Sequence, residues 1–137
     1  MLLFRKLCFY GYVFMFIGVG ASGIFIATWE LPHIFHLPLN TLTPHVRATM
    51  LTQYRFLKSA ELSYGLFSFF YRNEIFAGGP VRRLFVTAVF LGVFARVFSV
   101  FVDGMPAWEF IAFAALEFVT GILILTAPIT TAPRITV

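Results

Sequence analysis

From Pro80 to Pro106 the chain reads PVRRLFVTAVFLGVFARVFSVFVDGMP, and between Arg83 and Asp103 the only charge is Arg96. A helix rising about 1.5 Å per residue crosses a hydrocarbon layer of about 30 Å in roughly 20 residues. An apolar run of this length constrains the fold more than any other feature, because it fits a membrane-spanning helix. Three further segments meet or approach the same length. The expected spans are residues 7–28, 50–71, 81–102 and 106–127, the second inside a longer helical stretch that begins at Pro44. The fold class that follows is all-α: one domain over residues 1–137, an integral membrane bundle of four transmembrane helices.

Composition closes off the alternatives. The chain is 60% hydrophobic and 12% charged, more apolar surface than a soluble domain of 137 residues could hide. Its net charge of +4 comes from basic residues that form no run, so nucleic acid is not an expected partner. The single cysteine, Cys8, excludes an intramolecular disulfide and a cysteine metal centre. The opening MLLFRKLCFYGYVFMFIGVGASGIFIATW is too long for a signal core and lacks an A-x-A cleavage site, so it is expected to be the first span.

Thr43 before Pro44 reads as an N-cap followed by proline in the first helical position. AGGP (77–80) and DGMP (103–106) read as breaks, and Pro128 as the stop after the last span. WELPHIFHLPLNTLTP, with three prolines, is expected to lie on the membrane interface, with Trp29 in the aromatic belt. Arg5, Lys6, Arg72, Arg82, Arg83 and Arg134 flank one side of a four-span arrangement, against Arg47 alone on the other. The positive-inside rule then puts both termini on the cytoplasmic side of a bacterial inner membrane, or on the matrix side of a mitochondrial inner membrane.

A charge at mid-membrane costs on the order of 3 kcal/mol on insertion scales, so Arg96 calls for an acceptor. By helical rise Arg96 lies about 21 Å past Arg82, Glu117 about 14 Å past Trp108 and Glu61 about 16 Å before Arg72. The shared depth points to Glu117 as the partner of Arg96, with Glu61 as the second arm. Arg55, Lys58, Glu61, Arg96, Ser99, Asp103 and Glu117 are therefore expected to form an intramembrane polar cluster, structural in role, with Lys58 one turn from Glu61. Asp103 is expected to accept from the first amides of the fourth helix. Gly18, Ser22, Gly65, Gly92 and Gly121 are expected to let helices approach closely, and the phenylalanines off the polar stripes to face lipid or a partner. ELSYGL and EFVTGI share Glu-x-x-x-Gly, a weak internal echo.

His33 and His36 in HIFH could bring two imidazoles together as an interfacial ligand, but no third ligand stands nearby, so no metal is expected. No nucleophile–base pair or phosphate loop appears, and the chain is not expected to be an enzyme.

The residues Arg96, Ser99, Asp103, Gly104, Pro106, Glu117 and Gly121, with Arg55 and Gly65 upstream, follow a family pattern. Over about residues 40–127 the chain resembles small bacterial four-helix membrane proteins of the domain of unknown function 4345 family, relatives of the BphX-like proteins. That resemblance implies a four-helix bundle and no established activity; the abundance of phenylalanine over leucine and alanine is a departure. The function expected first is a non-catalytic accessory subunit of a larger, energy-converting membrane complex, with other membrane subunits and lipid as partners and no cofactor beyond a bound lipid. The alternative is a small membrane protein that binds a lipid, quinone or pigment against the polar cluster. A transporter or enzyme acting through Glu61 and Glu117 ranks below both.

Overall fold

A computed structural model describes residues 2–128; Arg134, one of the orienting charges, lies outside them. All regular structure among the described residues is helical: α1 (Leu2–His33), α2 (Pro44–Phe70), α3 (Arg72–Ala77), α4 (Pro80–Asp103), α5 (Trp108–Leu125) and one 3₁₀ turn (Leu39–Thr41). The all-α expectation holds, but there are five helices rather than four. The extra one is α3, in the connection expected to be a simple break. Tyr71 leaves helical geometry (φ −94°, ψ 19°), the next six residues re-enter it with Ile75 buried, and positive φ at Gly78 and Gly79 then ends the turn. Three helical stretches are long and apolar enough to cross a membrane: Leu3–His33, Pro80–Asp103 and Trp108–Leu125. α2 has the length without the apolarity, since Arg55, Lys58 and Glu61 fall within seven residues.

α1 also overruns its expected end at residue 28. Trp29 to His33, including Pro32, remain helical, so the connection between α1 and α2 shrinks to residues 34–43. The helix kinks at Ile26 (φ −105°, ψ 19°). Arg55 Nε donates to the Ile24 carbonyl at 3.1 Å, and a side chain entering the backbone ladder is a recognised cause of a kink. Beyond α1 the chain turns through His36, at φ 54°, and Leu37 N–H returns to the Leu31 carbonyl at 3.1 Å. Thr43 caps α2 as its sequence suggests: Oγ1 accepts from Val46 N–H at 3.4 Å, ahead of Pro44.

The contacts divide the chain into two compact units, one of residues 13–67, the other of the N-terminal residues up to 12 with those from 68 onward. In the first, α1 and α2 meet backbone to backbone. A Cβ on Gly20 would lie 2.5 Å from Leu62 N, and one on Gly65 would lie 2.8 Å from Ile17 Cγ1. Gly18, expected at a close helix approach, meets nothing within 4 Å. Residues two positions apart on a helix differ by about 200°, so Gly18 and Gly20 cannot share a face. Ser22 bonds only to the Val19 carbonyl of its own helix, at 3.2 Å. Ala27, Leu31, Leu39 and Leu51 form a small apolar core, bordered by Phe35, Leu42, Met50 and Tyr54.

The second unit contains the start of α1 with α3, α4 and α5. Phe9 sits between the rings of Phe76 (5.0 Å between centroids) and Phe85 (5.5 Å), and Ile75, Val89 and Ile124 complete the buried core. Phenylalanine therefore builds the interior here as well as the outer face. Arg5 and Arg82, which the sequence presents as orienting flank charges, are buried. Arg82 donates to the carbonyls of Ile75 (2.8 Å), Phe76, Ala127 (2.7 Å) and Pro128 (3.4 Å), and Arg5 reaches the Thr126 carbonyl at 3.4 Å. Carbonyls at the ends of α3 and α5 have no acceptor role left within their helices, and a positive charge there complements the helix dipole.

Two outcomes are expected from thermal unfolding in detergent. Gly20→Ala should lower the midpoint, since overpacking typically costs about 1–3 kcal/mol, whereas Gly18→Ala should leave it unchanged or raise it. Arg82→Leu should be strongly destabilising, because each stranded buried acceptor costs about 1–3 kcal/mol, and Arg82→Lys should recover only part, lacking the planar fork.

Candidate functional site

α4 and α5 are joined by a short turn in which Gly104 takes φ 97°, so they run back against each other. Small residues set their separation. A Cβ on Gly121 would lie 3.1 Å from the Phe90 ring, and one on Gly92 would lie 3.6 Å from Glu117 Oε2. The gap opposite Gly92 is where the expected pair forms. Arg96 Nε donates to Glu117 Oε2 at 3.1 Å and its Nη2 to Oε1 at 3.1 Å, a fork-to-fork contact that is geometrically specific as well as charge-assisted. The two partners differ in exposure: the Glu117 side chain is 3% accessible and that of Arg96 is 30%.

The open side of Arg96 faces a groove of about 500 Å³ between the two helices. Its walls are Val97 and Val100 from α4, Phe110, Ile111 and Ala114 from α5, and Pro106 from the turn. The Phe110 ring centroid lies 6.0 Å from Arg96 Cζ, at the outer range of a cation–π contact. Ser99 borders the groove and donates to Asp103 Oδ2 at 2.8 Å. Asp103 thus takes its hydrogen bond from its own helix, one turn back. The expected cap on α5 does not form: α5 starts from Ala107 with no side-chain cap, because the turn through Pro106 places Ala107 at that position.

The unit of residues 13–67 holds a polar group of its own. Lys58 Nζ contacts Glu61 Oε2 at 2.9 Å and lies 5.2 Å from the Tyr54 ring, while its aliphatic stem fills the space beside Gly23. Arg55 is engaged by the Ile24 carbonyl. Glu61 is therefore answered locally by Lys58, and the two guanidinium bonds expected to be shared with it both go to Glu117. The two Glu-x-x-x-Gly motifs agree in one half only. Gly65 and Gly121 both sit where helices touch, but one carboxylate pairs within its helix and the other across to α4.

The histidines do not assemble a ligand set. His33 Nδ1 is 2.7 Å from the Trp29 carbonyl and its ring stacks on Trp29, while His36 occupies the turn. Among the described residues no group of three or more His, Cys, Asp or Glu side chains could hold a metal. Two residues escaped the sequence reading. Glu30 is buried, and its carboxylate acts on the Tyr54 hydroxyl, whose oxygen is also shielded from solvent. The acid directly before Leu31-Pro32 was the available signal, masked by the expectation that α1 had already ended.

Over residues 6–127 the chain matches the family described as Domain of unknown function (DUF4345). The chain belongs to that family. The DUF4345 match takes in α1 and the connection after it, beyond the stretch that carries the recognisable motif residues. No curated protein and no solved structure matches the chain. This DUF4345 member thus carries a forked Arg96–Glu117 pair with one open, apolar side.

The pair should behave as a coupled unit in thermal unfolding. Arg96→Ala strands Glu117 and should cost about 3–5 kcal/mol, as typical for one partner of a buried pair. Glu117→Gln keeps an acceptor oxygen and should be milder. Changing Arg96 to Met and Glu117 to Leu together should restore more stability than the two single changes predict; zero coupling in this cycle would reject the pair as a stabilising contact.

Proposed function

We propose that this protein is a non-catalytic accessory subunit of a larger membrane protein complex. The observation that carries the reading is the aromatic outer face of α4. Phe94, Phe98 and Phe101 are exposed by 67%, 57% and 84%, and the first two stack on each other at 6.3 Å between centroids. Lipid tails need only apolar area from a protein surface. Large rigid rings offer more to a protein partner, because they bury much area and have few torsions to order on binding. An accessory role is also consistent with polar groups that mostly answer one another: Arg96 with Glu117, Lys58 with Glu61, Ser99 with Asp103.

In the same reading α2 is a fourth membrane crossing. Its 27 residues would extend about 40 Å; of its central charges Lys58 and Glu61 pair, and Arg55, still charged, donates to the Ile24 carbonyl. The end of the helices marked by Lys6, Arg72 and Arg83 then faces the negative side of a bacterial or mitochondrial inner membrane.

Extraction in mild detergent and native electrophoresis with mass spectrometry should recover the chain with the same membrane subunits in repeated preparations. Replacing Phe94, Phe98 and Phe101 together by Leu should weaken that co-migration while leaving the chain folded. Migration of the native chain alone, across several mild detergents, would remove the accessory reading.

A further inference from the structure

The groove beside Arg96 has a feature that pairing with Glu117 does not use. A guanidinium carries five N–H donors. Two are spent on Glu117, and the others make no hydrogen bond among the described residues. Arg96 is partly open while Glu117 is not, so the groove presents donors and no free carboxylate. The Ser99 hydroxyl proton is already committed to Asp103. The remaining walls are apolar, with one aromatic ring, Phe110.

These properties select a ligand class. The positive charge is already neutralised by Glu117, so an anionic headgroup would bring in a charge with no second cation to answer it. A neutral acceptor such as a carbonyl oxygen uses the spare N–H groups without burying net charge. Depth narrows the class further. Arg96 lies seven residues before the end of α4, about 10 Å along the helix, and Glu117 nine residues after the start of α5, about 14 Å. The ester carbonyls of a glycerolipid stay at the edge of the hydrocarbon core, above this level. A flat ring ketone on an apolar tail can descend to it and lie against Phe110. The volume, about 500 Å³, falls within the usual range of small-molecule sites, about 300–1,000 Å³.

We propose that the α4–α5 groove binds the ring of a membrane quinone, one ring carbonyl accepting from the spare N–H groups of Arg96 and the ring face lying on Phe110. The site stands on its own geometry, and loss of the accessory reading would leave it intact.

Trp108 supplies the readout. It is exposed, opens α5 two residues before Phe110, and is one of two tryptophans, so Trp29→Phe leaves it as the sole indole. Decylubiquinone titrated into this variant in detergent should quench Trp108 fluorescence saturably. Arg96→Lys should weaken binding about tenfold or more, the scale of one lost charge-assisted hydrogen bond of about 1.4 kcal/mol or more. Two groove-filling changes, Ala114→Leu on α5 and Val100→Phe on α4, leave the ion pair untouched and should each abolish saturable quenching. Thermal unfolding identifies which of them retains the wild-type fold. Quenching that rises linearly without saturation, that survives in a folded groove-filling variant, or that is displaced equally well by a short-chain phosphatidylcholine would overturn the assignment; the last would make the groove a lipid site.

Discussion

Arg96 and Glu117 hold each other because neither can be left alone in an apolar layer. The contact sits between α4 and α5, each long and apolar enough to cross a membrane. Hydrocarbon provides no hydrophobic force to bring such helices together, so close packing and polar contacts must do it. Gly92 leaves room for the carboxylate, and Gly121, one turn beyond Glu117, lets α5 settle against Phe90 and Val89. The bidentate geometry also fixes the rotation of each helix. A turn of α4 by one residue would swing Arg96 through about 100° and break both hydrogen bonds.

The same principle recurs with different acceptors. Arg82 spends its donors on the carbonyls that end α3 and α5, and Arg55 spends one on the carbonyl beside the kink in α1. Backbone acceptors freed by a helix end or a kink are costly in a dry setting, and an arginine fork can serve several at once. Arginine here works as a joint between helices. Among the described residues only Arg96 combines a carboxylate partner with an open side on an apolar groove, an environment that suits an outside ligand as well as a structural role.

Phenylalanine likewise serves two purposes. Phe9 and Phe85 are fully buried and in contact with each other, whereas Phe94, Phe98 and Phe101 are exposed on α4. Composition cannot separate these uses, since both are written with the same residue. Helical phase separates them: Phe94, Phe98 and Phe101 recur at spacings of four and three, away from Arg96 and Ser99.

The all-helical class, three apolar helices long enough to cross a membrane, the Thr43 cap and the Arg96–Glu117 pair were determined by the sequence itself. They depend on length, hydropathy and spacing along one or two adjacent helices, which are local quantities. The tertiary structure alone decided which glycine closes the α1–α2 contact, since Gly18 and Gly20 are equally small and differ only in the face they present. It also decided that Glu61 pairs with Lys58, that Asp103 serves Ser99, and that α1 runs through Pro32 to bury Glu30. The roles of Arg5 and Arg82 belong with these. A charge near the end of an apolar run looks the same in sequence whether it faces water or caps a carbonyl, and only the distant chain brought beside it, here residues 126–128, settles which.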